Sequence, residues 1–405
     1  MLFARMWPAS GLMAAALLLR MGLPGAPAVA AEPLTDMPGV VRLALPPVLN
    51  AVEGVETNVY FENVVLALDP ADFAFDVTCA LGRQQSERWT WTPMASDVGE
   101  HSFQLDVRND RNEVVARGHC QLRVVADEAR SQRPTSILMI GDSLTHASVY
   151  PQRVAELFAR PGQPPLTLVG SHAPEGVSAG VRHEGYGGWT AERFATHYAE
   201  TARRGDYRQR GSPFLYADGE GKPQLDLTRY YGDVNAGKAP DFVTIFLGPN
   251  DVFSATDETI EATIDRMLTH FESLVSEIQA AGKETRIGVM LPVAPAATQD
   301  AFGSNYANGQ TRWQYRRNQH RLVERLLAQY AGRDAEGIDI VPTHVNLDCL
   351  HNYPIERGKA NAHAEIEIQR QNNGVHPDTA GYRQIGDTVY AWLKTRMANV
   401  KVSSP

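Results

Sequence analysis

The chain has 405 residues, with 38 Lys and Arg against 47 Asp and Glu, giving a formal charge of -9. An acidic chain with no basic run lacks the electrostatic footprint of a nucleic-acid-binding protein. The length exceeds one ordinary domain and predicts two.

The chain opens MLFARMWPASGLMAAALLLRMGLPGAPAVAAEP, and residues 1–30 read as a secretory signal. Arg5 supplies the positive n-region, Gly11 to Leu19 form a short apolar core, and Ala28-Val29-Ala30 fits a small-x-small cleavage site. The alternative, a buried N-terminal helix, explains the cleavage-like triplet less well. The core is too short, and too interrupted by Arg20, to anchor in a bilayer, and no later stretch supplies the roughly 20 apolar residues of a membrane helix. The expectation is a secreted or periplasmic protein with no membrane span. Cleavage removes Arg5 and Arg20 and no acid, leaving about 375 residues and moving the charge from -9 to -11.

Residues 33–125 carry short alternating segments: FAFDVTCAL, HSFQLDVRND and HCQLRVV, separated by turn residues such as Asn109-Asp110-Arg111-Asn112. This spacing predicts a small all-β sandwich. Trp89 and Trp91 fall on one face of the WTWTP segment, where core packing is the plainer reading and sugar binding by exposed rings the sharper one. Of the three cysteines, Cys79 and Cys120 are expected on neighbouring strands, either bridged in an oxidising compartment or as two buried thiols, with Cys349 unpaired. No cysteine or histidine spacing suggests a zinc site.

ADEARSQRP, residues 126–134, is polar, ends in proline and reads as a linker. From 135 to 398 the pattern becomes strand then helix. Strands are expected at Ser136–Ile140, Leu166–Val169, Phe242–Leu247, Arg286–Leu291 and Ile338–Val341. Between them run amphipathic helices, clearest where Ile260, Ile264, Met267, Phe271, Leu274 and Ile278 recur at three and four. Leu322, Leu326 and Tyr330 form a second stripe, and Ile385, Val389 and Trp392 a third. The class is therefore α/β, a doubly wound parallel sheet, in which ligands bind beyond the carboxyl ends of the strands.

Four loops lie where that rule points. Gly141-Asp142-Ser143-Leu144 follows the first strand; a serine opening a helix has backbone N–H groups and the positive dipole end beside it, although Asp and Ser are also ordinary N-caps. HEGYGGWT, residues 183 to 190, has three glycines in four positions, which lets the backbone approach a ligand or form a plain tight turn. Gly248-Pro249-Asn250-Asp251 offers an amide donor or a turn residue. In NNGVHPDTAGY, His376 stands before the last helix, with Pro377 suited to a first helical position.

Together these blocks resemble the GDSL, or SGNH, hydrolase family over roughly residues 134 to 398. GDSL stands at 141–144, the glycine block ends Gly188-Trp189-Thr190, the G-x-N-D block is 248–251, and a G-x-H-P segment is 374–377. The resemblance implies a flavodoxin-like SGNH fold, Ser143 as nucleophile and His376 as general base. It implies an oxyanion hole from the Ser143 and Gly188 backbone N–H groups and the Asn250 side chain, with no metal or cofactor. Many members carry an aspartate three residues before the histidine; here that position is Asn373, which cannot stabilise imidazolium by charge. Asn373 and Asp378 are the candidates for orienting His376, with Asp348 more distant.

The function these readings favour is an exported serine esterase removing acyl groups, acetyl above all, from a carbohydrate partner. The glycine block with Trp189, the aromatic stretch carrying Tyr216, Tyr230 and Tyr231, and the appended β-region are its circumstantial support. The competing readings are a lipase, thioesterase or aryl esterase; a glycan O-acetyltransferase of the same fold; and a glycan-binding pseudoenzyme.

Overall fold

The structure, a computed structural model, describes residues 41–128, 133–199 and 210–398. The signal segment at 1–30 and residues 129–132 of the linker lie outside the described residues.

The sheet of the second region is parallel throughout. Its main strands are Thr135–Gly141, Leu166–Val169, Phe242–Phe246, Arg286–Met290 and Ile338–Val341, each within one residue of its expected bounds. Their spatial order is second, first, third, fourth, fifth, with Glu184–Gly185 pairing the end of the first. The strands are apolar runs because both faces are covered. Alternate side chains separate cleanly: Leu138, Ile140, Val243 and Ile245 face one core with Ile264, Phe271 and Leu322. Ile137, Met139, Phe242 and Phe246 face the other, with Val154, Ile385 and Trp392. The helices concerned are Ile260–Ala281 and Arg312–Tyr330 on the first side, and Val149–Phe158 and Thr379–Ala398 on the second.

The N-terminal region is β-rich. Val114–Val125 pairs antiparallel with Gly99–Arg108, which pairs with Ala74–Cys79, while Thr57–Tyr60, Arg88–Trp91 and Arg83–Gln84 form a second sheet. Both sheets contribute to one core containing Trp89, Trp91, Phe103, Leu105 and Leu122. Trp89 is 1% and Trp91 9% exposed, so these rings are core rather than a sugar platform. Val48–Val52 joins the first sheet parallel to Val114–Val125, a pairing the alternation did not reveal.

One expectation needs correcting. Cys79 and Cys120 are not on neighbouring strands: both stand opposite Phe103, one on each side of the Gly99–Arg108 strand. Two strand spacings are about 10 Å, beyond the roughly 7 Å that a disulfide spans. All three cysteines are free thiols.

We keep the division into 33–125, a linker at 126–134 and 135–398 as a proposal; strong contacts cross it. Val52 and Val55 enter the core beneath the last helix, and Val345 enters the β-region's core. The buried amide of Asn346 accepts from the Asn58 N–H (2.9 Å) and Nδ2 (3.0 Å), and donates to Gln384 O and Thr388 Oγ1. Asn63 Nδ2 donates to the carbonyls of His344 and Leu347. The Arg316 guanidinium, 5% exposed, bonds Glu62 and the carbonyl of Val65.

A buried amide satisfied on both sides is costly to remove, because its partners stay buried without bonds. Asn346→Ala is expected to lower the unfolding free energy by about 3 kcal/mol in a denaturant titration. A loss under about 0.5 kcal/mol would show that the junction does not depend on this amide.

Candidate active site

Ser143 begins the short helix Ser143–His146, immediately past the carboxyl end of the first strand. Asp142 caps it, its carboxylate accepting from the Leu144 N–H at 2.9 Å. The turn is tight because Gly141 lies against Thr145: a Cβ on Gly141 would fall 2.0 Å from the Thr145 Oγ1. Gly185 packs on the same threonine, where a Cβ would come within 2.6 Å. The glycine block is thereby drawn against the nucleophile helix. Gly188, at φ +74°, turns the block through the left-handed region that favours glycine, and its backbone is exposed.

His376 enters from the loop before the last helix, and its Nε2 lies 2.8 Å from Ser143 Oγ. Two residues 233 positions apart therefore meet in hydrogen-bonding geometry, the arrangement a nucleophile and its base require. Burial pushes the His376 imidazole below its usual value, keeping it neutral and able to accept a proton. Asn250 is placed beside them: its Nδ2 donates to Trp189 O at 3.0 Å and to Asp142 Oδ2 at 3.3 Å. Asp251 accepts the Ala191 N–H with both carboxylate oxygens, tying the third loop to the second. The structure thus brings Ser143, Gly188, Asn250 and His376 to the carboxyl edge of one sheet.

The candidates for orienting the imidazole are engaged elsewhere. Asn373 Oδ1 accepts from the backbone N–H groups of Val375 and His376, so it shapes the loop and not the ring. Asp378 accepts from Ala380 and Gly381 at the start of the last helix. Asp348 holds Tyr60, His351 and two backbone N–H groups at the junction with the β-region. Among the described residues none of these carboxylates bonds His376 Nδ1, which leaves a Ser–His pair.

Sequence reasoning passed over a set of buried groups behind the site. His183 bonds Ser148 Oγ at 2.9 Å and accepts from the Gly185 N–H, and its ring stands 5.0 Å from that of His172. Burial pushes His183 down to about 3 and His172 to about 4. Glu184, fully buried, accepts from the hydroxyls of Tyr186, Tyr230 and Ser171. Tyr216, Tyr230 and Tyr231 are buried in the core with Trp189, so they form no exposed sugar platform. Isolated His and Glu carried no sequence signal; their burial appears only when the glycine block folds back. Among the described residues no three His, Cys, Asp or Glu side chains are grouped to hold a metal ion.

Ser143→Ala is expected to abolish ester hydrolysis while shifting unfolding by less than about 1 kcal/mol. Asn250→Ala is expected to cost about 10²–10³ in kcat, the range for an oxyanion donor, and a loss under about fivefold would remove it from that role. His376 must be neutral to act, so kcat/KM should rise with pH through an apparent value below 6.5. Asn373→Asp keeps the backbone acceptor and adds a charge near the ring, which favours imidazolium. That variant is expected to move the acid limb to higher pH; an unmoved limb would show that position 373 does not sense the ring.

The profile of the GDSL-like Lipase/Acylhydrolase family matches residues 139–384, more than half of the chain. No curated protein matches the sequence. Among solved structures, the chain is similar to a Clostridium thermocellum family 3 carbohydrate esterase at 16% identity and TM-score 0.37, covering 64% of this chain and 94% of that one. It is similar to a family 3 carbohydrate esterase from Talaromyces cellulolyticus (16%, TM-score 0.36, covering 66% and 100%). A carbohydrate acetylesterase family member from Sinorhizobium meliloti shows 14% identity and TM-score 0.36, covering 66% and 100%. On the family match, which spans the loops that carry Ser143, Gly188, Asn250 and His376, the chain belongs to the GDSL-like lipase/acylhydrolase family.

Proposed function

We propose that this carboxylic ester hydrolase is exported and removes acetyl groups from a carbohydrate through a Ser143–His376 acyl-enzyme. The observation that carries the mechanism is the 2.8 Å contact between His376 Nε2 and Ser143 Oγ at the carboxyl edge of the sheet. Ser143 Oγ attacks the ester carbonyl as its proton passes to His376 Nε2. The oxyanion forms against the Ser143 and Gly188 N–H groups and the Asn250 amide. On collapse the sugar hydroxyl leaves with the proton from His376, and the acetyl group stays on Ser143. Water then attacks the acyl-enzyme with His376 again as base, releasing acetate. With no carboxylate among the described residues bonded to the far side of the ring, imidazolium is stabilised less than in a full triad.

The substrate reading rests on the rim. Phe253 follows the Asn250 turn, and Tyr306 follows Asn305, whose side chain accepts from the Gly374 N–H of the His376 loop. Their part-buried rings lie 5.0 Å apart, tilted by 60°, an aromatic edge suited to the C–H faces of a sugar. A second reading, an apolar ester, is favoured by exposed Leu350, Ile355, Ile366 and Ile368 on and beside the hairpin Ile355–Lys359/Glu367–Gln371. Exposed Glu356, Arg357, Lys359 and Glu367 interrupt that surface, which weighs toward the glycan. Export is supported by the N-terminal segment of the sequence, with its positive start, apolar core and Ala-Val-Ala end.

Acetate release from a panel of acetylated glycans should exceed, in kcat/KM, hydrolysis of long-chain acyl esters by about tenfold or more. Faster turnover of the long-chain esters would replace this reading by the second. Transfer of acetyl to added glycan in preference to water would make the enzyme a transferase. Secretion with loss of residues 1–30 tests the export reading.

A further inference from the structure

Asn250 presents an inconsistency. An amide nitrogen has two hydrogens, and both are engaged, one by Trp189 O at 3.0 Å and one by Asp142 Oδ2 at 3.3 Å. A donor to the oxyanion must give one of them up. The bond to Trp189 ties Asn250 to the loop of Gly188 and is the shorter. The bond to Asp142 is the longer, and it points to the residue beside the nucleophile.

We propose that Asp142 is a positioning residue that holds the Asn250 amide in the resting enzyme and yields one N–H to the oxyanion as the tetrahedral intermediate forms. The inference rests on the reading of Asn250 as an oxyanion donor. Asp142 is suited to this exchange because its carboxyl is 1% exposed and is anchored independently through Oδ1 to the Leu144 N–H. It therefore keeps its place when Oδ2 is released. Charge decides whether the exchange is favourable. An ionised carboxylate competes with the oxyanion for the same N–H and repels it at close range; a neutral carboxyl accepts more weakly and opposes nothing.

Burial pushes Asp142 up to about 7 against the pull of the Leu144 N–H, and among the described residues no cation holds it ionised. The groups facing it are Asp251 on the Asn250 turn, Tyr150 from the helix Val149–Phe158, Tyr315 from Arg312–Tyr330 and Tyr382 from Thr379–Ala398. The three phenols are all raised above 10 and stay neutral. Asp251 is also pushed up to about 7 and must be separated by experiment. Its bonds run to Ala191, not to Asn250, so its ionisation does not occupy the donor.

The test is the pH dependence of kcat from pH 5.5 to 9, read as acetate release from a small acetyl ester. Wild type should rise with deprotonation of His376 and then fall at least fivefold as Asp142 ionises. Asp142→Asn keeps an acceptor for Leu144 but cannot ionise, and it should flatten the alkaline limb to within twofold. Asn250→Ala should flatten the same limb at a much lower rate, because Asp142 acts through that amide; the double variant should be no slower than Asn250→Ala alone. Asp251→Asn should retain the fall. A fall that persists in Asp142→Asn, a loss equal at every pH, or a limb abolished by Asp251→Asn would overturn the proposal. Should Asn250→Ala lose less than fivefold, the oxyanion reading itself fails.

Discussion

The contact of Thr145 with Gly141 and Gly185 sets the geometry on which the rest depends. Neither glycine tolerates a Cβ there without a clash against the threonine. Through Gly141 the contact fixes how sharply the chain leaves the first strand, and so where Ser143 stands above the sheet edge. Through Gly185 it brings the second loop alongside, where Glu184 and Gly185 pair with Ile140 and Gly141. Thr145 Oγ1 is itself held by the Tyr150 hydroxyl at 2.8 Å. A fully buried side chain held by the Tyr150 hydroxyl thus aligns the two loops before any substrate is present, the preorganisation that the proposed oxyanion stabilisation needs.

Most of the α/β region was legible because its signals are local. A run of apolar residues buried on both faces, followed by a stripe at three and four, can be read without knowing what it packs against. Ser143, Gly188, Asn250 and His376 were legible for a related reason: each follows a strand or precedes a helix at the sheet's carboxyl edge. Pairing between distant segments was not. Nothing in VLNAV shows that Val48–Val52 runs parallel to Val114–Val125, and nothing in the cysteine spacing shows that the Gly99–Arg108 strand comes between Cys79 and Cys120. Asn373 was read for what it lacks, a charge. The structure gives it a positive task, closing the loop through the N–H groups of Val375 and His376. Asp142 was read as a cap, which it is, and the cap concealed its second contact with Asn250.

Among the described residues no carboxylate bonds the His376 ring, and this belongs together with the buried carboxyls beside Asn250. A full triad sets a fixed negative charge against imidazolium. Here the buried acids Asp142 and Asp251 lie beside Asn250, and on the proposed oxyanion role of that amide a fixed negative charge there would oppose the developing one. Burial raises both, so neutrality at the oxyanion is favoured by the same desolvation that makes the His376 imidazole reluctant to take its proton. The proposed mechanism therefore relies on oriented dipoles: the N–H groups of Ser143 and Gly188 and the amide of Asn250.

That neutrality also shapes how folding responds to pH. Asp142 and Asp251 hold a proton in the folded chain that the unfolded chain surrenders above about 3.8; their stabilisation is complete below that value and is lost as pH rises through about 7. His172 and His183 refuse a proton in the folded chain that the unfolded chain takes below 6.5. Their stabilisation is complete above 6.5 and is lost as pH falls toward about 4 and 3 respectively. Between about 4 and 6.5 two carboxyls therefore weaken the fold with rising pH while two imidazoles strengthen it. The two pairs oppose one another, and His344, which burial also pushes down to about 4, adds to the imidazole side. The His376 imidazole, also lowered by burial, ties the same window to the reaction, since it must be neutral to accept a proton from Ser143.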